Sequence, residues 1–297
     1  MKYSCLHTHT EFCDGNGTVE DFCQNAFEKG FVSLGFSAHA PLPKDIGTTS
    51  DWHLNADDVN IYIDAVNNAK EKWRGKLDVY LGLEVDFIRG CAGPSDNCWQ
   101  KLGLDYIIGS VHRVPPLDKK NDWAKNPENK NKLLCIDGTR EDFELIINKE
   151  FEGDSRALVE AYYNDLSAMC TAGGFDILGH ADLIVKNNKN DIFFSTQSGW
   201  YKQCVYKLAD TLAEKNNIIV EVNTGGLNRG STTSLYPSDD ILKIFMLKNI
   251  PVTINADAHS VEHLGGFYEK ARVSLLASGY REYMLFNGKK NWTASVL

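Results

Sequence analysis

His7 and His9 stand two residues apart after a short apolar run, and Asp257 and His259 repeat that spacing after another run near the far end of the chain. In a strand, residues i and i+2 project to the same side. Each pair can therefore reach one point at the end of its own strand. Imidazole nitrogens and carboxylate oxygens around one point suit a borderline divalent metal. One such pair is weak evidence, because the spacing arises by chance in many chains. Two pairs, with further His and Glu at strand ends between them, constrain the fold strongly: the beginning and the end of the chain have to meet.

The rest of the sequence supplies a way for them to meet. Short apolar runs at 2–6, 31–36, 77–83, 104–111, 175–178, 218–222 and 250–254 read as strands. Amphipathic stretches lie between them. Thr18 to Lys29 reads as a helix with Thr18 as N-cap and Gly30 at its stop. Asn55 is expected to cap a long helix with Val59, Ile63, Val66 and Trp73 on one face. Asp154 or Ser155 caps a helix carrying Val159, Tyr163, Leu166 and Cys170. Further helices are expected over 195–216, 237–248 and 262–278, with a last β segment in the tail. Strands alternating with helices imply a parallel α/β arrangement. A closed or nearly closed barrel, with its site at the C-terminal strand ends, gathers both chain ends at one point. A doubly wound open sheet would struggle to do so. The stretch 113–140, rich in Lys, Asn, Asp and Pro, breaks the rhythm. It reads as a long excursion over the active-site end, or as a surface insert, within one domain spanning 1–297.

With 297 residues, 43% of them hydrophobic, the chain can bury a sizeable core. A net charge of −9 argues against a nucleic-acid or anionic-membrane surface, though not against a local basic pocket for a small anion. The eight cysteines are irregularly spaced and form no C-x-x-C pair, which favours free thiols over a disulfide scaffold. No apolar run approaches a membrane span, and the N-terminal residues lack a signal-peptide core. The default expectation is a reduced, cytoplasmic enzyme.

Ionisable residues recur at the predicted strand ends. His7 and His9 follow the first, with Asp14 a little beyond. His39 follows the second, Glu84 ends the third, His112 the fourth and His180 the fifth. Glu221 and Asn223 lie on the sixth, before the loop TGGLNRG; Asp257 and His259 follow the seventh. Of the histidines, only His53 and His263 fall outside this pattern. A lone histidine is more often a hydrogen-bonded core residue than a ligand, but that reading would need six independent coincidences at one end of the fold. The ligand count exceeds that of a structural zinc or a three-ligand catalytic site. It fits two or three metals, with Glu84 a natural bridging carboxylate. Clustered cations lower the pKa of a shared water and neutralise charge developing on a phosphoryl oxygen.

A phosphate also needs cationic or amide donors beyond the metals. Arg156 opens a helix after the excursion and could reach the mouth. Arg113 follows His112 directly, so in a strand it would point away from the metals. Each arginine could equally be solvated or structural. Asp86 and Asp182 sit two residues past ligand candidates, as orienters of histidine tautomers, binders of a substrate amine, or surface groups.

HTHT-x-FC at 7–13, SAHAPLP at 37–43, GLEVDF at 82–87, GSVH at 109–112, GHADL at 179–183, EVNTGGL at 221–227 with YPS after it, and DAH at 257–259 resemble the polymerase-and-histidinol-phosphatase (PHP) superfamily. Within it they are most similar to the monofunctional histidinol-phosphate phosphatases, over essentially the whole chain. The resemblance implies a distorted (β/α)7 TIM-like barrel of the PHP type, holding three divalent metal ions, with Zn, Mn or Fe all suited to the ligands. By this resemblance His7, His9, Glu84 and Asp257 match the ligands of one metal, Glu84, His112 and His180 those of a second, and Asp14, His39 and His259 those of a third. Relatives commonly carry a histidine where this chain has Asp14. Arg229 matches an arginine of relatives and would bind phosphate. The implied activity is hydrolysis of a small-molecule phosphomonoester, L-histidinol phosphate, in histidine biosynthesis. A metal-bridging hydroxide held by Glu84, His112, His180 and Asp257 would be the nucleophile.

Other readings stay open. The same chemistry could serve a nucleotide or phosphoprotein, or a metal-dependent amidohydrolase could use such a barrel. A binding or regulatory protein that merely holds metal would be marked by lost ligands, and none is lost. The oligomeric state is not readable from the sequence.

Overall fold

The computed structural model describes residues 1–43, 50–116 and 134–297. Seven parallel strands lie in one sheet in sequence order: β1 (Tyr3–Cys5), β2 (Phe31–His39), β3 (Asp78–Asp86), β4 (Tyr106–Ser110), β5 (Ile177–Leu178), β6 (Ile219–Asn223) and β7 (Val252–Asn255). The connecting helices are α1 (Val19–Glu28), α2 (Val59–Trp73), α3 (Arg140–Leu145), α4 (Ser155–Ala172), α5 (Gly199–Lys215), the short α6 (Gly225–Asn228) and α7 (Asp239–Leu247). After β7 come α8 (Tyr268–Ser278) and an antiparallel hairpin of β8 (Glu282–Phe286) and β9 (Trp292–Val296).

The two chain ends meet just past β1 and β7. Thr8 bridges Ala258 in parallel; His9 N donates to Ala258 O at 2.9 Å and Ala258 N to His7 O at 3.1 Å. Leu6 N donates to the side-chain oxygen of Asn255 at 2.7 Å. The sheet thus curls into a nearly closed barrel, the expected (β/α)7 TIM-like form, and not an open doubly wound sheet.

All seven strands occur where the apolar runs put them, but β2 and β3 run further. Ala38 pairs with Leu83 and His39 with Glu84, so polar strand ends expected in loops are ladder residues instead. Their backbone groups are satisfied by neighbouring strands, which lets charged side chains sit buried at the barrel end. Beneath them Leu6, Tyr106, Ile108, Ile177 and Phe286 fill the barrel. Phe286 packs edge-on against Tyr80 and Tyr106, near the starts of β3 and β4, so the tail hairpin plugs the end opposite the ligands.

The helix caps follow local chemistry. Thr18 Oγ1 accepts from Asp21 N at 3.1 Å, and the Asp21 carboxylate accepts from Thr18 N at 2.9 Å, a reciprocal capping box. Asp154 accepts from Ala157 N at 3.0 Å and caps α4 as expected. Asn55 does not cap α2. Its side chain accepts from Asp57 N at 3.1 Å, making a turn of its own, and the helix begins only after Asp58. The expected helix over 262–278 is a single turn at Val261–His263 followed by α8; Phe267, with φ of 59°, separates them. Helix α3, opened by a second capping box of Thr139 and Asp142, went unrecognised because the residues before it are polar and aperiodic. Most of the predicted 113–140 excursion, residues 117–133, lies outside the described residues.

None of the eight cysteines, all of them among the described residues, is joined in a disulfide. Among the described residues no helix is long and apolar enough to cross a membrane.

Candidate metal centre

Strand ends deliver the ligand candidates to one place. Glu84, near the end of β3, lies at its middle. Its Oε2 is 3.1 Å from His7 Nε2, 3.5 Å from His9 Nε2 and 2.9 Å from His39 Nδ1. Its Oε1 is 3.0 Å from His180 Nε2 and 3.7 Å from His112 Nε2, and accepts from Ser110 Oγ at 2.6 Å. Asp257 Oδ1 lies 3.4 Å from His9 Nε2 and 3.7 Å from His7 Nε2. Asp14 closes the far side, with Oδ2 3.2 Å from His259 Nε2 and Oδ1 3.7 Å from His9 Nδ1 and 3.8 Å from His39 Nε2. All nine anticipated ligands are brought together.

Their donor atoms fall into overlapping groups whose members lie within 4.8 Å of one another: His9, Asp14, His39 and His259; His7, His9 and Glu84; and His39, Glu84 and His112. Asp14 thus shares a group with His39 and His259. In the described geometry His9 also joins this group. His39 rather than His180 completes the third set, while His180 stays against Glu84.

The residues present fit metal ions. His7 Nε2, His9 Nε2, His39 Nδ1 and Glu84 Oε2 are buried and face one another, and among the described residues they have no hydrogen-bond partner. Buried polar atoms are rarely left so. Imidazole and carboxylate together are the donors that zinc and similar cations accept.

Surrounding groups fix the ring orientations. His7 Nδ1 lies 2.7 Å from Glu221 Oε2, which turns Nε2 to Glu84. Glu221 itself accepts from Asn223 Nδ2 at 2.6 Å, Asn255 Nδ2 at 3.0 Å and His180 N at 3.2 Å. His112 Nδ1 lies 2.6 Å from Asp86 Oδ1. Such partners set the tautomer and raise ligand basicity. Burial lowers the His7 pKa, but Glu221, Glu84 and Asp257 outweigh it and raise it well above its ordinary value. Burial raises the Glu84 carboxyl, yet His39 and His7 hold it well below the carboxylate range. Burial, reinforced by His259 and His39, pushes His9 down to about 3.

Arg229 sits at the rim, held inward. Its Nη1 donates to Asp257 O at 2.8 Å and its Nη2 to Asp257 Oδ2 at 2.9 Å. Asp257 has φ of 46°, an uncommon conformation for a residue with a side chain. Gly225 permits the approach, since a Cβ there would stand 2.7 Å from Asp257 Oδ2.

The other anticipated residues fare differently. Arg113 is buried; it donates to Asp86 Oδ2 at 3.0 Å and lies over Trp52 at 4.8 Å. It therefore braces Asp86 and does not line the cavity. Arg156 is not brought to the site. It lies exposed on α4, pairs with Glu160 at 2.8 Å and covers Trp200, because the first turn of that helix faces solvent. Asp182 is buried and accepts from Ser238 N at 3.0 Å, facing a second cavity beyond the turn Leu183–Val185. Burial there pushes its carboxyl up to about 7.

The cavity over the cluster, about 350 Å³, is also lined by Trp52, Cys135, Asp137, Leu183 and Lys186, none of which the strand-end pattern could flag. His53, set aside as lying off a strand end, places Nε2 3.4 Å from Asp86 Oδ2. It arrives through a loop whose Leu54 N donates to His39 O at 2.9 Å. Glu221 was visible as a strand-end acid, two residues before Asn223, but its place behind His7 was not.

The PHP domain family model matches residues 6–225. The chain belongs to the PHP family. Among PHP relatives, a Bacillus subtilis (strain 168) histidinol-phosphatase is 28% identical over 274 residues, covering 89% of this chain and 96% of the relative. A solved chain from Listeria monocytogenes superposes with a TM-score of 0.75 at 22% identity, over 90% of this chain and 99% of that one. A histidinol phosphate phosphatase from Lactococcus lactis subsp. lactis, solved with Zn, L-histidinol and phosphate, superposes with a TM-score of 0.64 at 16% identity, over 98% and 99% of the two chains. At these identities the superpositions show the shared fold alone.

Proposed function

We propose that this PHP protein is a metal-dependent phosphomonoesterase that hydrolyses L-histidinol phosphate to L-histidinol and phosphate. The observation that carries the chemistry is Glu84, fully buried, with histidine nitrogens converging on both carboxylate oxygens. The curated relative named histidinol-phosphatase, aligned over nearly its whole length, supports the substrate.

When bound, divalent cations supply a nucleophilic water of lowered pKa and neutralise charge on phosphoryl oxygens. Three would be held by the groups around Glu84, by His7, His9 and Asp257, by His112 and His180, and by Asp14, His39 and His259. The protein's own part is orientation. Glu221 and Asp86 hold His7 and His112 with their Nε2 atoms facing the cluster. Arg229 fixes the Asp257 carboxylate and lines the cavity where a phosphate would lie. The cavity's size suits a ligand of small-metabolite dimensions, and the net charge of −9 disfavours nucleic acid.

A panel of phosphomonoesters assayed with purified protein tests the reading. Metal-dependent release of phosphate, with the highest kcat/KM for L-histidinol phosphate, is expected. No preference for that ester would remove the substrate; no metal-dependent hydrolysis of any ester would remove the class.

A further inference from the structure

Asp137 is the cavity carboxylate that is not among the anticipated ligands and that no donor group includes. Of the acids lining the space over the cluster, Asp14 and Glu84 belong to its donor groups and Asp257 lies against His9 and His7 at 3.4 and 3.7 Å; among the described residues Asp137 pairs with Lys186 and with no ligand candidate's nitrogen. The two acids expected to meet a substrate amine are committed elsewhere. Asp86 is divided among His112, Arg113 and His53, and Asp182 faces the neighbouring cavity.

The segment around Asp137 is firmly built. Ile136 is fully buried, and its N donates to His112 O at 2.9 Å, tying the segment to the end of β4. From the other side Asn187 Nδ2 donates to Ile136 O at 3.1 Å and to Gly138 O at 3.2 Å. Lys186 Nζ donates to the Asp137 carbonyl. These bonds hold the backbone and leave the side chain to the cavity. Among the described residues no hydrogen bond reaches the Asp137 carboxylate; the Lys186 ammonium stands 3.5 Å from Oδ2, longer than a direct bond of good geometry. The side chain is 27% exposed, so a ligand can reach it.

We infer that Asp137 selects phosphomonoesters that carry a primary ammonium group, accepting that ammonium while the phosphate lies over the metal-ligand cluster. The inference rests on the reading of the site as a phosphomonoesterase and adds the residue that distinguishes an amine-bearing ester from a neutral one. The chemistry is direct. A carboxylate in a partly dry cavity gains from a charge-assisted hydrogen bond to an alkylammonium and nothing comparable from a methylene in its place. An ester lacking the amine leaves Asp137 with Lys186 and the field of the cluster histidines, His112 foremost.

The test compares wild type with Asp137→Asn, which keeps the shape and removes the charge, on L-histidinol phosphate, its deamino analogue and p-nitrophenyl phosphate. Wild type is expected to favour the amine-bearing ester over the deamino analogue. In Asp137→Asn that ratio of kcat/KM should fall by roughly ten- to a hundredfold, the worth of one hydrogen bond to a charged group. The loss should lie mainly in KM, and competitive inhibition by L-histidinol should weaken in parallel. Asp137→Glu should restore part of the preference, which a loss of folding would not allow. An unchanged ratio, or equal losses on all three esters, would overturn the role of Asp137 while leaving the phosphatase intact. A wild type that hydrolyses none of them would instead remove the functional reading and the selection with it.

Discussion

Glu221 Oε2 lies 2.7 Å from Nδ1 of His7, on the opposite side of the ring from Glu84, and both residues are fully buried. A ring gripped on one side by a carboxylate presents its other nitrogen as a lone-pair donor. Glu221→Gln keeps the shape but can offer His7 a donor instead of an acceptor. Metal affinity or activity should fall by about 10- to 100-fold. Metal titration by calorimetry beside kinetics checks this; unchanged affinity and rate would show that Glu221 serves only packing.

Glu84 stands against histidines on both of its oxygens, so its removal should cost more than that of an outer partner. Glu84→Gln is expected to reduce turnover by more than about a hundredfold, beyond the range of outer-partner losses, and to lower the metal content measured by elemental analysis. Full metal content with normal turnover would contradict the central place given to Glu84.

Metal removal should also be visible without any substrate. A ligand present at a thousandfold over its Kd stabilises a protein by about 4 kcal/mol. Chelation followed by dialysis should therefore lower the thermal midpoint, by several degrees in a chain of this size. Readdition of Zn, Mn or Fe should restore it. An identical midpoint with and without metal would argue that the cluster binds none tightly.

The capping box of α1 gives a prediction about stability and pH. Thr18→Ala should cost about 1 kcal/mol in denaturant unfolding at neutral pH. Hydrogen bonds from Thr18 hold the Asp21 carboxyl below its ordinary value. A depressed acid stabilises the fold above its unfolded pKa of roughly 3.9 and loses that contribution as pH falls through the folded value. The gap between variant and wild type should therefore be wider at pH 7 than at pH 3. A gap that grows on acidification would reverse the sign and refute the assignment.

Much of this was legible in the sequence because the relevant rules are local. The period-two spacing of His7 with His9 and of Asp257 with His259 follows from strand geometry, and the apolar runs located all seven barrel strands. Thr18 and Asp154 announced their helices through their side chains. Asn55 misled because the same side chain can equally form a turn, and Asp57 N was nearer than the start of α2. Arg156 misled because helix position does not say which way a first turn faces. Trp52, His53 and Asp137 were invisible for another reason. They come from loops, and long-range bonds such as those of Leu54 to His39, Ile136 to His112 and Asn187 to Ile136 carry them to the barrel end. No periodicity encodes such a bond.

The backbone bridge between Thr8 and Ala258 has a consequence for how the protein is made. His7 and His9 leave the ribosome long before Asp257 and His259 do. Until they do, the first two histidines lack the partners on the far side of the seam. The cluster is thus completed only after β7 has been made, and a chain cut short before β7 would lack Asp257 and His259 however well its earlier strands had paired. Metal uptake in this protein reports on the whole barrel from β1 to β7 at once.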